Sequence, residues 1–153
     1  MRSLSAADLL SVWDAGHARA PVERALLLLE AGWPESGRPA LAALTVGERD
    51  ARLLALREQV FGPALASLSA CPQCREPLEQ TFTVDDLRVE DARGGSEPLT
   101  IVVEHLAIEF RIPTSEDLSA IAPCDDLRLA RTRLVQRCVV SVSDGGTPAA
   151  LPA

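Results

Sequence analysis

Cys71-Pro72-Gln73-Cys74 is the one place in this 153-residue sequence where residue type and spacing suggest site chemistry. Two thiols separated by two residues can be brought to one ion by a single tight turn, which makes half of a tetrahedral zinc site. The same spacing can serve thiol–disulfide exchange, but that chemistry needs the first thiol lowered in pKa at a helix N-terminus. Here Arg75-Glu76-Pro77 follow and then a strand pattern, so the context favours a metal knuckle with Cys71 and Cys74 as ligands. Cys138 falls on the apolar stripe of a later helix, where a free thiol behaves as a small hydrophobe. Cys124 stands between Pro123 and Asp125 at a helix start, too far along the chain from Cys138 for the two to form a second knuckle. The expectation is a zinc half-site, loosely held, because a structural site uses four protein ligands.

The other candidates read as structure. His17 follows a helix as polar surface, and His105 sits at a hairpin turn. Gly94-Gly95 lies in an acidic loop, with no phosphate-binding glycine pattern opening a helix. Asp85-Asp86, Glu90-Asp91 and Asp125-Asp126 are turn or helix-cap charges. No catalytic constellation emerges, so neither an enzyme nor a small-molecule substrate is expected.

Composition narrows the partners. The apolar fraction of 47% allows a core, but aromatics are 3%, so Leu, Val, Ile and Ala must fill it. All fifteen basic residues are Arg, against 22 acids, and the net charge is −7 without a basic stripe. Nucleic acid is therefore not an expected partner. No apolar run reaches the length of a membrane span. The opening MRSLSAADLLSVWDAG carries Asp8 and Asp14 and no long apolar segment, so a secretory leader is not expected either. The four cysteines read as thiols or metal ligands rather than a disulfide framework, and the expected location is the cytoplasm.

The elements that must position the knuckle can be read in order. Ser5 and Asp8 form a capping box for a helix over 6–15, and Pro21 opens a second that runs to Gly32. A loop through Trp33 and a short Ala/Leu lead-in reach Thr45 and Glu48, which cap a third helix carrying Leu53, Leu56 and Val60 on one face. Gly62-Pro63 ends it, and an apolar connector leads to the knuckle. Beyond it, Leu78, Gln80, Phe82 and Val84 share a half-buried strand face. After a loop over 91–98, strands at 99–104 and 107–112 make a hairpin around His105. Thr114 and Asp117 cap a short helix, and a last helix from Asp125-Asp126 carries Leu127, Ala130, Leu134, Cys138 and Val142 as its stripe. The reading is α+β: a helical module over 1–70, then knuckle, small antiparallel sheet and closing helices over 71–143, and a disordered tail over 144–153.

Several of these segments together resemble a family. They are Pro21–Leu29, Leu44-Thr45-Val46-Gly47-Glu48-Arg49-Asp50 with the helix to Phe61-Gly62, Cys71-Pro72-Gln73-Cys74, Phe110-Arg111-Ile112-Pro113-Thr114-Ser115-Glu116-Asp117-Leu118, and Leu134–Val139. The chain resembles the T-even-phage-type baseplate hub proteins, also described as baseplate hub assembly chaperones, of contractile phage tails and related injection systems. That family continues with a second Cys-Pro-x-Cys segment and a long helical region, neither of which occurs in these 153 residues, and Arg75 stands where a knuckle commonly has Gly. The resemblance implies a non-enzymatic interaction protein or assembly chaperone acting in the bacterial cytoplasm on baseplate hub or spike proteins. Large apolar groups beside turns make the helix-end loops at Trp33 and at Phe61-Gly62 candidate contact surfaces, with Trp33 equally readable as core. The alternative is a small zinc-ribbon-like module of regulation or nucleic-acid handling, which would require a basic patch on the sheet.

Overall fold

The computed structural model describes residues 1–89 and 97–150, arranged as an α+β fold. Four helices come first: α1 (Ala6–Gly16), α2 (Pro21–Gly32), α3 (Arg38–Ala42) and α4 (Val46–Phe61). Next come β1 (Ala64–Ala70), β2 (Pro77–Thr83) and the one-turn α5 (Val84–Leu87). The remainder is β3 (Leu99–Val103), β4 (Leu106–Phe110), α6 (Ser115–Ile121), α7 (Leu127–Cys138), β5 (Val139–Asp144) and β6 (Thr147–Pro148). β1 and β2 form a sheet by themselves, and the other four strands form an antiparallel sheet in chain order.

One local device starts four of the helices. Ser5, Thr45, Thr83 and Thr114 each accept a hydrogen bond from the amide three residues on, and Asp8, Glu48, Asp86 and Asp117 reach back to the cap amide. These carboxyls are held below their usual range by different first causes. They are the Arg2 guanidinium for Asp8, the Thr45 hydroxyl for Glu48, the Thr83 amide for Asp86 and the Arg111 guanidinium for Asp117.

The helical module owns the main core. Leu26, Leu29, Leu41 and Ala42 are buried together, with Val22, Trp33, Leu44 and Leu53 packed around them. Close helix approach is needed here. A Cβ on Gly32 would stand 3.2 Å from Leu56 Cδ1, so the bare α-carbon lets α4 lie against the end of α2. Thr45 bridges to Thr114, and the Val46 amide donates to the Pro113 carbonyl at 2.9 Å, tying this module to the second half.

The second half is tied by charge. Asp117, buried, receives the Arg111 guanidinium at 2.5 and 2.9 Å and Arg137 Nε at 2.9 Å. Arg111 also donates to the Arg137 carbonyl at 3.1 Å. One carboxylate thus binds the end of β4, the start of α6 and the end of α7, and its two oxygens are fully used.

Several expectations need correction. Residues 64–70 are not a connector within a helical module: they are β1, paired with β2 along seven positions from Ala64↔Thr83 to Ala70↔Pro77. The lead-in before Thr45 contains a helix, α3. The face of Leu78, Gln80, Phe82 and Val84 is not a half-buried strand face: Leu78 and Gln80 are exposed, Phe82 is half-buried, and Val84 belongs to α5. The last helix stops at Cys138, and Val142 lies in β5, opposite Ile108. The expected tail over 144–153 is ordered through residue 150. Gly145 and Gly146, both at positive φ, turn β5 back into β6, and the Ala149 amide donates to the Val142 carbonyl. Residues 151–153 and most of the expected 91–98 loop lie outside the described residues.

Candidate functional site

The knuckle is the tip of the β1–β2 hairpin. The Cys71 amide donates to the Glu76 carbonyl and the Arg75 amide to the Cys71 carbonyl, both at 2.8 Å, which closes the turn between Ala70 and Pro77. Arg75 takes positive φ at 61°, a position that usually calls for glycine. The Cys74 amide first, then the Gln73 amide, the Cys74 thiol and the Arg75 amide hold the Cys71 thiol below its ordinary pKa. Cys71 is half-buried and Cys74 exposed. The turn therefore brings the two thiols together, with backbone amides turned toward the Cys71 sulfur.

The hairpin stands on a firm base and is otherwise bare. Arg57 donates to the carbonyls of Gly62 and Ala64, the Val84 amide donates to Pro63, and the Val84 side chain is fully buried. Arg88 joins Asp85 at 3.1 Å and also pairs with Glu58 on α4. Beyond that base only Leu65, Ser67, Cys71 and Phe82 are even half-buried.

The remaining cysteines lie elsewhere. Cys138 is buried, and burial raises its thiol pKa. Cys124 Sγ accepts from the Arg133 guanidinium at 3.1 Å. Neither joins Cys71 and Cys74: among the described residues, no three His, Cys, Asp or Glu side chains cluster as a metal site. His17 stacks on Trp13 with centroids 6.2 Å apart, and His105 lies in the β3–β4 turn with Nε2 3.7 Å from Asp144.

A second feature lies on the helical module. Phe61, at the end of α4, is 71% exposed, and beside it runs a groove of about 470 Å³ lined by Leu4, Leu9, Leu28, Leu53 and Val60. A neighbouring groove of about 610 Å³ shares Leu9, Leu28, Leu53 and Phe61 and adds Val12, Trp13 and His17. Trp13 and Leu10 are exposed to 68% and 65%. The Phe61 loop therefore has the apolar surface expected of it. For Trp33 the core alternative holds: it is half-buried against the main core, with the Arg52 guanidinium 5.6 Å from its ring centroid. Sequence reasoning missed the α1 side of the groove. Leu9, Leu10, Val12 and Trp13 span too wide an arc of one helix to be covered by a single neighbour, and that was the available signal.

No helix of the described residues is long and apolar enough to cross a membrane. Neither the curated proteins nor the solved structures yield a match to this chain. A family model does, over residues 29–149, a span that takes in α4, the knuckle hairpin and the Asp117 cluster. On that match the chain belongs to the T4 bacteriophage base plate protein family.

Proposed function

We propose that this chain is a non-enzymatic interaction component, acting as an assembly chaperone of a contractile-tail baseplate hub. Its partner is a hub or spike protein met in the bacterial cytoplasm. The reading rests on the family and is carried by one physical observation, an exposed apolar patch on the helical module. Phe61 is 71% exposed beside a leucine-lined groove, with Leu10 and Trp13 exposed nearby.

Co-expression with the tail proteins encoded beside it, followed by pull-down, tests the reading. Capture of a hub or spike protein is expected, with Phe61→Asp lowering the yield at least about tenfold, as loss of one buried aromatic anchor does. Retention on duplex DNA at physiological salt, with no tail protein captured, would overturn it.

A further inference from the structure

Three helices of the module line a trough that no other element of the described residues fills. α1 and α4 each pack on α2, and the two grooves beside Phe61 join at Leu9, Leu28 and Leu53. Each wall has the same spacing. α1 contributes Leu9, Val12, Trp13 and Gly16, and α2 contributes Pro21, Arg24, Ala25 and Leu28. α4 contributes Asp50, Leu53, Leu54 and Arg57, continuing to Val60 and Phe61. That is i, i+3, i+4 and i+7 three times, the spacing with which one helix presents a face to another. The leucines at 9, 28, 53 and 54 remain only half-buried in it.

The charges at this trough run against those of the whole chain. Net charge is −7, yet the charged groups lining the trough are Arg24 and Arg57 against Asp50, with His17 beside them. Asp50 is answered by Arg49 at 2.8 Å. Arg57 donates to the Gly62 and Ala64 carbonyls, which leave its charge uncancelled. Among the described residues no carboxylate lies within salt-bridge distance of Arg24 or Arg57.

Resting on the reading of the Phe61 groove as a capture surface, we infer that the trough takes one helix of the tail-protein partner, an amphipathic helix whose apolar stripe is flanked by Asp or Glu. A helix fits where a strand does not. The walls are helices whose backbone groups are bonded along their own axes, so they offer side chains rather than a free strand edge. The α4 wall from Asp50 to Phe61 is about 16 Å long, or about three turns of the incoming helix. Acids on its flanks answer Arg24 and Arg57. A second copy of this chain fits less well. Its helix with exposed leucines, α7, carries Arg128, Arg131, Arg133 and Arg137 and would set like charges together.

Fluorescence anisotropy on the full chain tests this with three labelled peptides. The first, of roughly 18 residues to allow helix formation, repeats Leu at i, i+3, i+4 and i+7 with Glu on its flanks. The second has Lys for each Glu, and the third scrambles the first so that no stripe remains. The Glu peptide is expected to bind at least about tenfold more tightly than either of the others, and less tightly as salt is raised. Arg24→Glu, at an exposed position, should remove that preference over the Lys peptide while leaving the circular dichroism unchanged. Trp13→Asp, 68% exposed in the free chain, should weaken the Glu peptide about tenfold. Equal binding of the Glu and Lys peptides would overturn the inference, as would equal binding of the scrambled one. So would self-association of the chain that Trp13→Asp abolishes. The same variants separate this from the capture reading. A hub or spike protein pulled down equally well by Arg24→Glu removes the acidic helix and leaves capture standing. A bound Glu peptide with no tail protein captured does the reverse.

Discussion

Leu29 on α2 and Leu68 on β1 are the same residue under opposite conditions: the first is 0% exposed, the second 70%. The helical module buries a leucine core, and α1 and α4 begin on caps that satisfy free amides locally. The knuckle hairpin has a complete backbone ladder and almost no burial. Hydrogen bonds exchanged for water contribute about 1 kcal/mol net each, whereas burying a leucine contributes about 1.5–3 kcal/mol. The module therefore holds itself together, and the hairpin is held at its base by Val84 and Arg57.

The sharpest way to break this contrast is Leu29→Ala, which should destabilise the chain by about 2–5 kcal/mol in urea unfolding. A loss under 1 kcal/mol would mean that the module does not carry the fold. Asp117→Asn comes next, at about 2–3 kcal/mol, because charged hydrogen bonds to Arg111 and Arg137 are weakened. Its pH dependence has a fixed sign. The folded carboxyl is held below its unfolded value, so its contribution is complete above the ordinary carboxylate range and is lost as pH falls toward the folded value. The difference between wild type and Asp117→Asn should be flat from about pH 6 to 8 and shrink below about pH 4. Thr45→Ala removes one cap and should cost about 1 kcal/mol, read from the thermal midpoint. Leu68→Ser on the hairpin should stay within about 0.5 kcal/mol of wild type. A larger loss there would show that the hairpin packs on the body in solution and that the contrast is false.

How much of this was legible depends on how locally each element is specified. Ser5, Thr45 and Thr114 each stand three residues before an acid, and the helices begin where those pairs place them. The β3–β4 hairpin followed from alternating Ile101, Val103, Ile108 and Phe110. β1 was hidden because Ala-Leu-Ala-Ser-Leu-Ser-Ala offers few strand-favouring side chains and takes its conformation from pairing with β2. The signal that could have found it is the knuckle itself, since a tight turn of this kind needs a strand on each side. The α7–β5 junction was hidden by periodicity. Cys138 and Val142 are four apart and continue a helical stripe, although the β-branched Val139-Val140 marked the change. Asp144-Gly145-Gly146 was a hairpin signal read as a tail. Of the site, Cys71, Cys74 and Phe61 were visible as residue types. The α1 wall of the groove and the placement of Asp117 between two arginines depend on contacts far apart in sequence.

A hairpin of seven paired positions, anchored at Pro63 and Val84 and ending in the knuckle, is also a ruler. At about 3.3 Å per residue, it sets roughly 20 Å between its anchored end and its tip. Anything gripped at the tip is therefore kept at a defined spacing from anything seated beside Phe61. Adding two residues to each strand would lengthen the span by about 7 Å and leave every side chain on its original face. Adding one to each would turn the tip over, so the register of this hairpin fixes a direction as well as a distance.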